Sequence, residues 1–141
     1  MANDQRYRTF NRSSDLAVKI FGKTQAELFA NSAFALFDIM TDVKTIDLHD
    51  HLPLEVEGAD RDDLMINWMR ELLYLYQGSG YLLKEFQIHE VKDNYLRGEV
   101  RGEKFDPDRH AIQRQIRAVE PHHGRMEKTG DQWTAQVVLE L

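Results

Sequence analysis

The sequence predicts an α+β fold, a single domain over residues 1–141 with a largely antiparallel sheet and two main helices packed on it. Three observations predict it. Two stretches carry apolar residues at helical spacing, several others alternate with a period of two, and the two kinds do not alternate regularly as β–α–β units would require. A chain of 141 residues can also bury roughly two-thirds of its unfolded surface, enough for a core without staples.

The elements follow in order. Residues 7–22 read as extended, with Leu16, Val18 and Ile20 alternating against Asp15, Ala17 and Lys19. Residues 24–40 are the clearest helix. Thr24 and Glu27 have the spacing of a capping box, and Ala26, Phe29, Ala33, Leu36, Phe37 and Met40 form one apolar stripe. Leu52, Leu54 and Val56 read as a strand. A second helix spans about 62–77, with Met65, Trp68, Met69, Leu72 and Tyr76 on one face and Gly78 where a C-terminal cap belongs. Residues 83–91 and 95–101 form a hairpin about Asp93 and Asn94. A loop with Asp106-Pro107 follows, then an extended stretch at 112–120 and a short strand at 126–129. The last strand, 132–140, sets Trp133, Ala135, Val137 and Leu139 on one face.

Composition narrows the chemistry. There is no cysteine, which excludes disulfides, thiolate zinc sites and cysteine nucleophiles. The first nine residues lack the apolar run of a signal peptide, and no stretch is long enough to span a bilayer, so a cytoplasmic location is expected. The net charge of −6 argues against autonomous RNA or DNA binding, because phosphate backbones reward clustered Lys and Arg. It permits a cation or a basic partner surface. No GxGxxG, Walker A, GxSxG or HExxH pattern is present.

Several polar groups remain as candidates. His49-Asp50-His51 has metal-ligand chemistry but reads more simply as a solvated loop. Asp60, Asp62 and Asp63 stand where a helix begins and suit capping. Asp38 and Asp42 fall at the end of the first helix, where the dipole mildly disfavours acids. Arg117 beside His122 and His123 could bind a phosphate or a carboxylate, or simply end a polar strand at Pro121. Asp15 opens an early strand, and Glu140 ends the last one, followed by Leu141. Terminal strands are often sheet neighbours, so the two acids could converge on a hard cation such as Ca²⁺ or Mg²⁺. From spacing alone, two acids so far apart in sequence are usually unrelated surface residues.

Taken together, these segments resemble the archease family. The similarity runs through residues 14–33, the Leu36-Phe37-Asp38-Ile39-Met40-Thr41-Asp42 block, the Asn67-Trp68-Met69-Arg70-Glu71-Leu72-Leu73-Tyr74 helix, Gly102-Glu103, Ile116-Arg117-Ala118-Val119 and the terminal Val137-Val138-Leu139-Glu140-Leu141. The resemblance implies an α+β accessory protein of an RtcB-type RNA ligase, not itself an enzyme. Such a protein helps the ligase acquire its guanylyl group and turn over in tRNA splicing and RNA repair. It also implies a divalent-metal site, described with calcium, at Asp15, Glu140 and Leu141, with Asp42, Arg117 and His122 around it to engage the ligase. No direct nucleic-acid contact and no membrane are expected.

Three positions depart from the family pattern. Arg12-Ser13-Ser14 replaces His-Thr-Ala before the aspartate, Glu140 replaces a penultimate aspartate, and Arg117 with Glu120-Pro121-His122 replaces a Lys-Ala-Val-Thr-Tyr-His block. Glutamate keeps the charge but moves the oxygens, and arginine cannot serve as a base. Two other classes of function stay open: a metal-dependent phosphoester hydrolase, and a metal-free chaperone-like adaptor.

Overall fold

A computed structural model describes residues 5–121 and 124–141. Its elements are β1 (Tyr7–Arg12), β2 (Asp15–Gly22), α1 (Gln25–Met40), a 3-10 turn (Val43–Thr45), β3 (Asp50–Glu57), α2 (Arg61–Ser79), β4 (Tyr81–Lys92), β5 (Tyr95–Lys104), β6 (Ala118–Val119), β7 (Arg125–Thr129) and β8 (Gln132–Glu140). The α+β reading holds, with every strand pair antiparallel.

The sheet, however, is two sheets. One runs β1-β2-β8-β6 with β7 also on β8, and the other runs β3-β5-β4. Period-two alternation tells which side chains face inward, not which strands pair, so the split is invisible in the pattern. Both helices touch both sheets. Leu16, Val18 and Ile20 of β2 and Ala135, Val137 and Leu139 of β8 join the helices' apolar stripes and Leu82, Leu96 and Val100 of the other sheet in one core. Phe37 of α1 stacks on Phe86 of β4 with centroids 6.1 Å apart. Trp68 of α2 is fully buried, and its indole N–H donates to the Phe29 carbonyl of α1 at 2.9 Å. Burying that ring without a partner would cost part of what its area gains.

Helix α1 starts as its sequence requires. The Thr24 hydroxyl accepts from the Glu27 amide at 3.0 Å, and the Glu27 carboxylate accepts in return from the Lys23 amide at 3.0 Å. Thr24→Ala is expected to lower stability by about 1 kcal/mol, measured as a shift in the urea midpoint with unchanged slope. Helix α2 is capped two residues beyond the glycine expected to cap it. Gly78 is helical, and Gly80 takes the left-handed conformation at φ 76° while its amide donates to the Tyr76 carbonyl.

The 112–120 stretch is also only partly strand. Ala118 and Val119 alone pair with β8, and Ile112 makes a single bridge to Thr41. Some of the other backbone groups are met from elsewhere. The Gln113 amide donates to the Met40 carbonyl at 2.8 Å, and the Gln77 side chain donates to the Arg117 carbonyl at 2.9 Å.

Candidate functional site

The β1–β2 hairpin turns at Ser13-Ser14, so β2 begins at Asp15, with Arg12 as its cross-strand neighbour. On the other side β2 pairs with β8 in a register that sets Asp15 opposite Glu140. The Leu141 amide donates to the Ser14 carbonyl at 3.2 Å. That bond makes Asp15 and Glu140 a pair without mutual backbone hydrogen bonds, the type in which Cα atoms come to about 4.5 Å and side chains lie closest. Both acids are half-buried. Like charges directly opposed on a sheet repel, so something must offset them.

Arg117 supplies part of the offset. It enters from the stretch before β6, its amide donating to the Glu140 carbonyl at 2.7 Å. Its Nε donates to the Leu141 main-chain oxygen at 2.9 Å, and its guanidinium lies 3.7 Å from the Glu140 carboxylate. The structure thus brings Asp15, Glu140, Leu141 and Arg117 to one end of the five-stranded sheet. A pair of carboxylates with a main-chain oxygen beside them is an oxygen donor set, and it fits a hard divalent cation in kind.

Asp38, Asp42, Asp60, Asp62 and Asp63 have hydrogen-bond partners of their own. Asp42 caps the 3-10 turn, its carboxylate accepting from the Lys44 amide at 3.1 Å. Asp38 accepts from the Tyr7 hydroxyl at 2.6 Å; burial first, then that bond and the Asp38 charge, hold the phenol protonated well above its usual range. His122 and His123 lie outside the described residues. Asp60 caps α2 through the Asp63 amide at 2.9 Å, Asp63 accepts from the Ala59 amide at 2.7 Å, and Asp62 accepts from the Met126 amide at 2.7 Å, tying β7 to the helix.

A second cluster stands on the other sheet, and of its members the sequence singles out only His49 and, within the Gly102-Glu103 block, Glu103. Glu103, at the end of β5, is 6% exposed. Arg109 grips both of its oxygens at 2.9 Å and also reaches the Asp47 carboxylate at 2.9 Å. The Asp47 amide donates to Glu103 at 2.7 Å. Buried His110 accepts from the Asp106 amide on Nδ1 at 2.9 Å, so its proton lies on Nε2, which faces Glu103 at 2.9 Å. The Arg109 bonds hold the Glu103 carboxyl at about 2 against an ordinary 4.5, with the Asp47 amide and the His110 ring adding to them and burial opposing.

Asp47, His49 and Glu103 each offer a ligand atom within 4.8 Å of one another, the arrangement of a possible metal cluster. The guanidinium already occupies the space between the two carboxylates, however, and a divalent ion would have to displace it. His49 itself is 69% exposed and 3.7 Å from Asp47, while Asp50 and His51 open β3 instead of lying in a loop. Among the described residues no helix is long and apolar enough to cross a membrane.

The chain has counterparts in sequence and in fold. The model of the Archease protein family matches residues 7–141. The archease protein of Pyrococcus furiosus is 33% identical over 141 residues, covering 97% of this chain and 99% of that protein. That of Methanopyrus kandleri is 30% identical over 138 residues, covering 96% and 99%. The solution structure of Methanobacterium thermoautotrophicum protein 1598 superposes with a TM-score of 0.82 at 26% identity, over 96% of this chain and 99% of that one. The crystal structure of a Thermotoga maritima archease, described as a possible chaperone, shares the fold with a TM-score of 0.62 at 17% identity, over 99% and 100%.

Proposed function

Because this chain belongs to the archease family, we propose that it is a cytoplasmic accessory protein of an RtcB-type RNA ligase, promoting the ligase's guanylylation and turnover without catalysing a reaction itself. In this reading Asp15, Glu140 and a main-chain oxygen of Leu141 hold a divalent cation, calcium or magnesium, while Arg117, Asp42 and His122 help engage the ligase. The observation that supports it is the cross-strand pairing of Asp15 with Glu140 at the end of the sheet where Leu141 lies. Two acids held this close favour a cation that neutralises them.

The chain's own residues temper the site. Arg12 flanks Asp15, and Arg117 already occupies the Leu141 oxygen, so two cations compete with the metal for the same acids. The resident ion would neutralise the carboxylates and fix the end of β8. Arg117 would then be freed to meet an acidic or phosphate group of the partner.

The test is an RNA-ligation assay with a catalytic amount of a purified RtcB-type ligase, with and without this protein. Stimulated multiple turnover is expected, and no stimulation by well-folded protein overturns the reading. Calorimetric titration with Ca²⁺ and Mg²⁺ should show binding to the wild type and at least 10-fold weaker binding to the Asp15→Ala, Glu140→Ala double variant. Identical heats for both would leave the adaptor role without its metal.

A further inference from the structure

The chain is acidic as a whole, but one face of the five-stranded sheet is not. On β2 and β8 the inward side chains enter the core; on the opposite side Gln136 is exposed, Lys19 and Phe21 are half-buried, and Ala17 and Val138 are buried. The register there aligns Arg8 of β1 with Lys19 of β2, Lys19 with Gln136 of β8, and Gln136 with Arg125 of β7. Next to this row stand two aromatic rings, Phe10 at 49% exposed and half-buried Phe21. The Arg8 guanidinium lies 5.9 Å from the Phe10 centroid and 5.5 Å from that of Phe21, and the Lys19 ammonium lies 5.8 Å from Phe21. Among the described residues no carboxylate pairs with Arg8 or Lys19 within salt-bridge distance, in a chain that has 24 acids for 18 Lys and Arg. Arg125 at the end of the row lies 3.9 Å from Glu127, but Arg8 and Lys19 are held by rings instead of acids.

We propose that this face binds single-stranded nucleic acid. Flat aromatic rings on an open sheet stack bases, and cations alternating with them neutralise phosphates, a combination that suits a single strand and not a duplex. A protein partner fits less well, since interface cores shed charge and this row carries Arg8, Lys19 and Arg125 around its apolar residues. The whole-chain charge, which argues against nucleic acid, is an average that conceals the row. Lys19 and Asp15 are four residues apart on the same face of β2, about 13 Å. A strand lying over Arg8 and Lys19 would therefore pass within two nucleotides of the Asp15–Glu140 pair.

The test is fluorescence anisotropy of a labelled oligouridine dodecamer with this protein alone, in EDTA and without ligase, so that its outcome is separate from that of the metal and of ligase activation. Binding in the micromolar range is expected at 50 mM salt. With Arg8, Lys19 and Arg125 as the phosphate contacts, affinity should fall about 20-fold by 200 mM. Phe10→Ala and Phe21→Ala should each weaken it roughly 10-fold. Arg8→Ala with Lys19→Ala should remove most of the salt dependence. Exposed Arg8 and Phe10 can be changed without disturbing the core. The proposal is overturned by no binding at 50 mM salt, by equal affinity in the Arg8→Ala, Lys19→Ala variant, or by a polyglutamate peptide or an RNA duplex binding as tightly as the single strand.

Discussion

Gly102→Val is expected to destabilise the fold by upward of about 3 kcal/mol, seen as a large fall in the urea midpoint or as loss of folded protein. Gly102 lies in β5, the central strand of its sheet, opposite Asp50 on β3 and Leu83 on β4. Just beyond it the β4 register shifts between Leu83 and Glu85. A Cβ there would stand 2.0 Å from the Leu82 carbonyl oxygen and 2.8 Å from the Leu83 Cα. Both are backbone atoms, and β5 is hemmed in on each side, so neither strand can yield cheaply. Gly78, with nothing within 4 Å, is the contrast. Gly78→Ala in the last turns of α2 should stabilise by about 0.5–1 kcal/mol.

Glu103→Ala is expected to cost about 3 kcal/mol, because it strands the buried His110 ring and the Asp47 amide without an acceptor and releases Arg109. The exposed side of Arg109 can recover water, which keeps the loss from being larger. The same carboxylate sets a pH dependence. Its folded value is depressed to about 2 from 4.5, so its contribution is fully present above 4.5 and is lost as pH falls from there through about 2. Urea midpoints at pH 7, 4 and 2.5 should therefore show the gap between wild type and Glu103→Gln narrowing with acidity. A gap that stays constant would mean the carboxylate is not held in its ionised form.

How much of this was legible in the sequence depended on range. The Thr24 cap, the apolar stripes of both helices and the Asp93-Asn94 turn are decided by residues a few positions apart, and they stand as read. Gly78 misled because Gly80 satisfies the same requirement two residues later, and only the backbone angle distinguishes them. The division into two sheets rests on pairings between distant segments, β2 with β8 above all, which periodicity does not encode. At the candidate site, Asp15 and Glu140 were singled out because they begin and end terminal strands, and the family resemblance raised the expectation that they meet. The registers that align them, and bring Arg117 onto Leu141, are long-range facts. The Glu103 cluster was not legible as a unit: Gly102-Glu103 entered only as a block of the family resemblance, and the members at 47, 103, 109 and 110 come from two loops and a strand end. The cationic row was hidden for the same reason: Arg8, Lys19 and Arg125 are neighbours only across strands.

One consequence follows from the place of β8, flanked by β2 on one side and by β6 and β7 on the other although it comes last of the eight strands among the described residues. During translation its slot stands empty until the ribosome has made everything before it. The nascent domain meanwhile exposes the edge of β2 and the apolar seat of Val137 and Leu139, an opening where chaperones or stray strands could bind. Closure of that sheet, and with it the meeting of Asp15 and Glu140, is a late event in biogenesis.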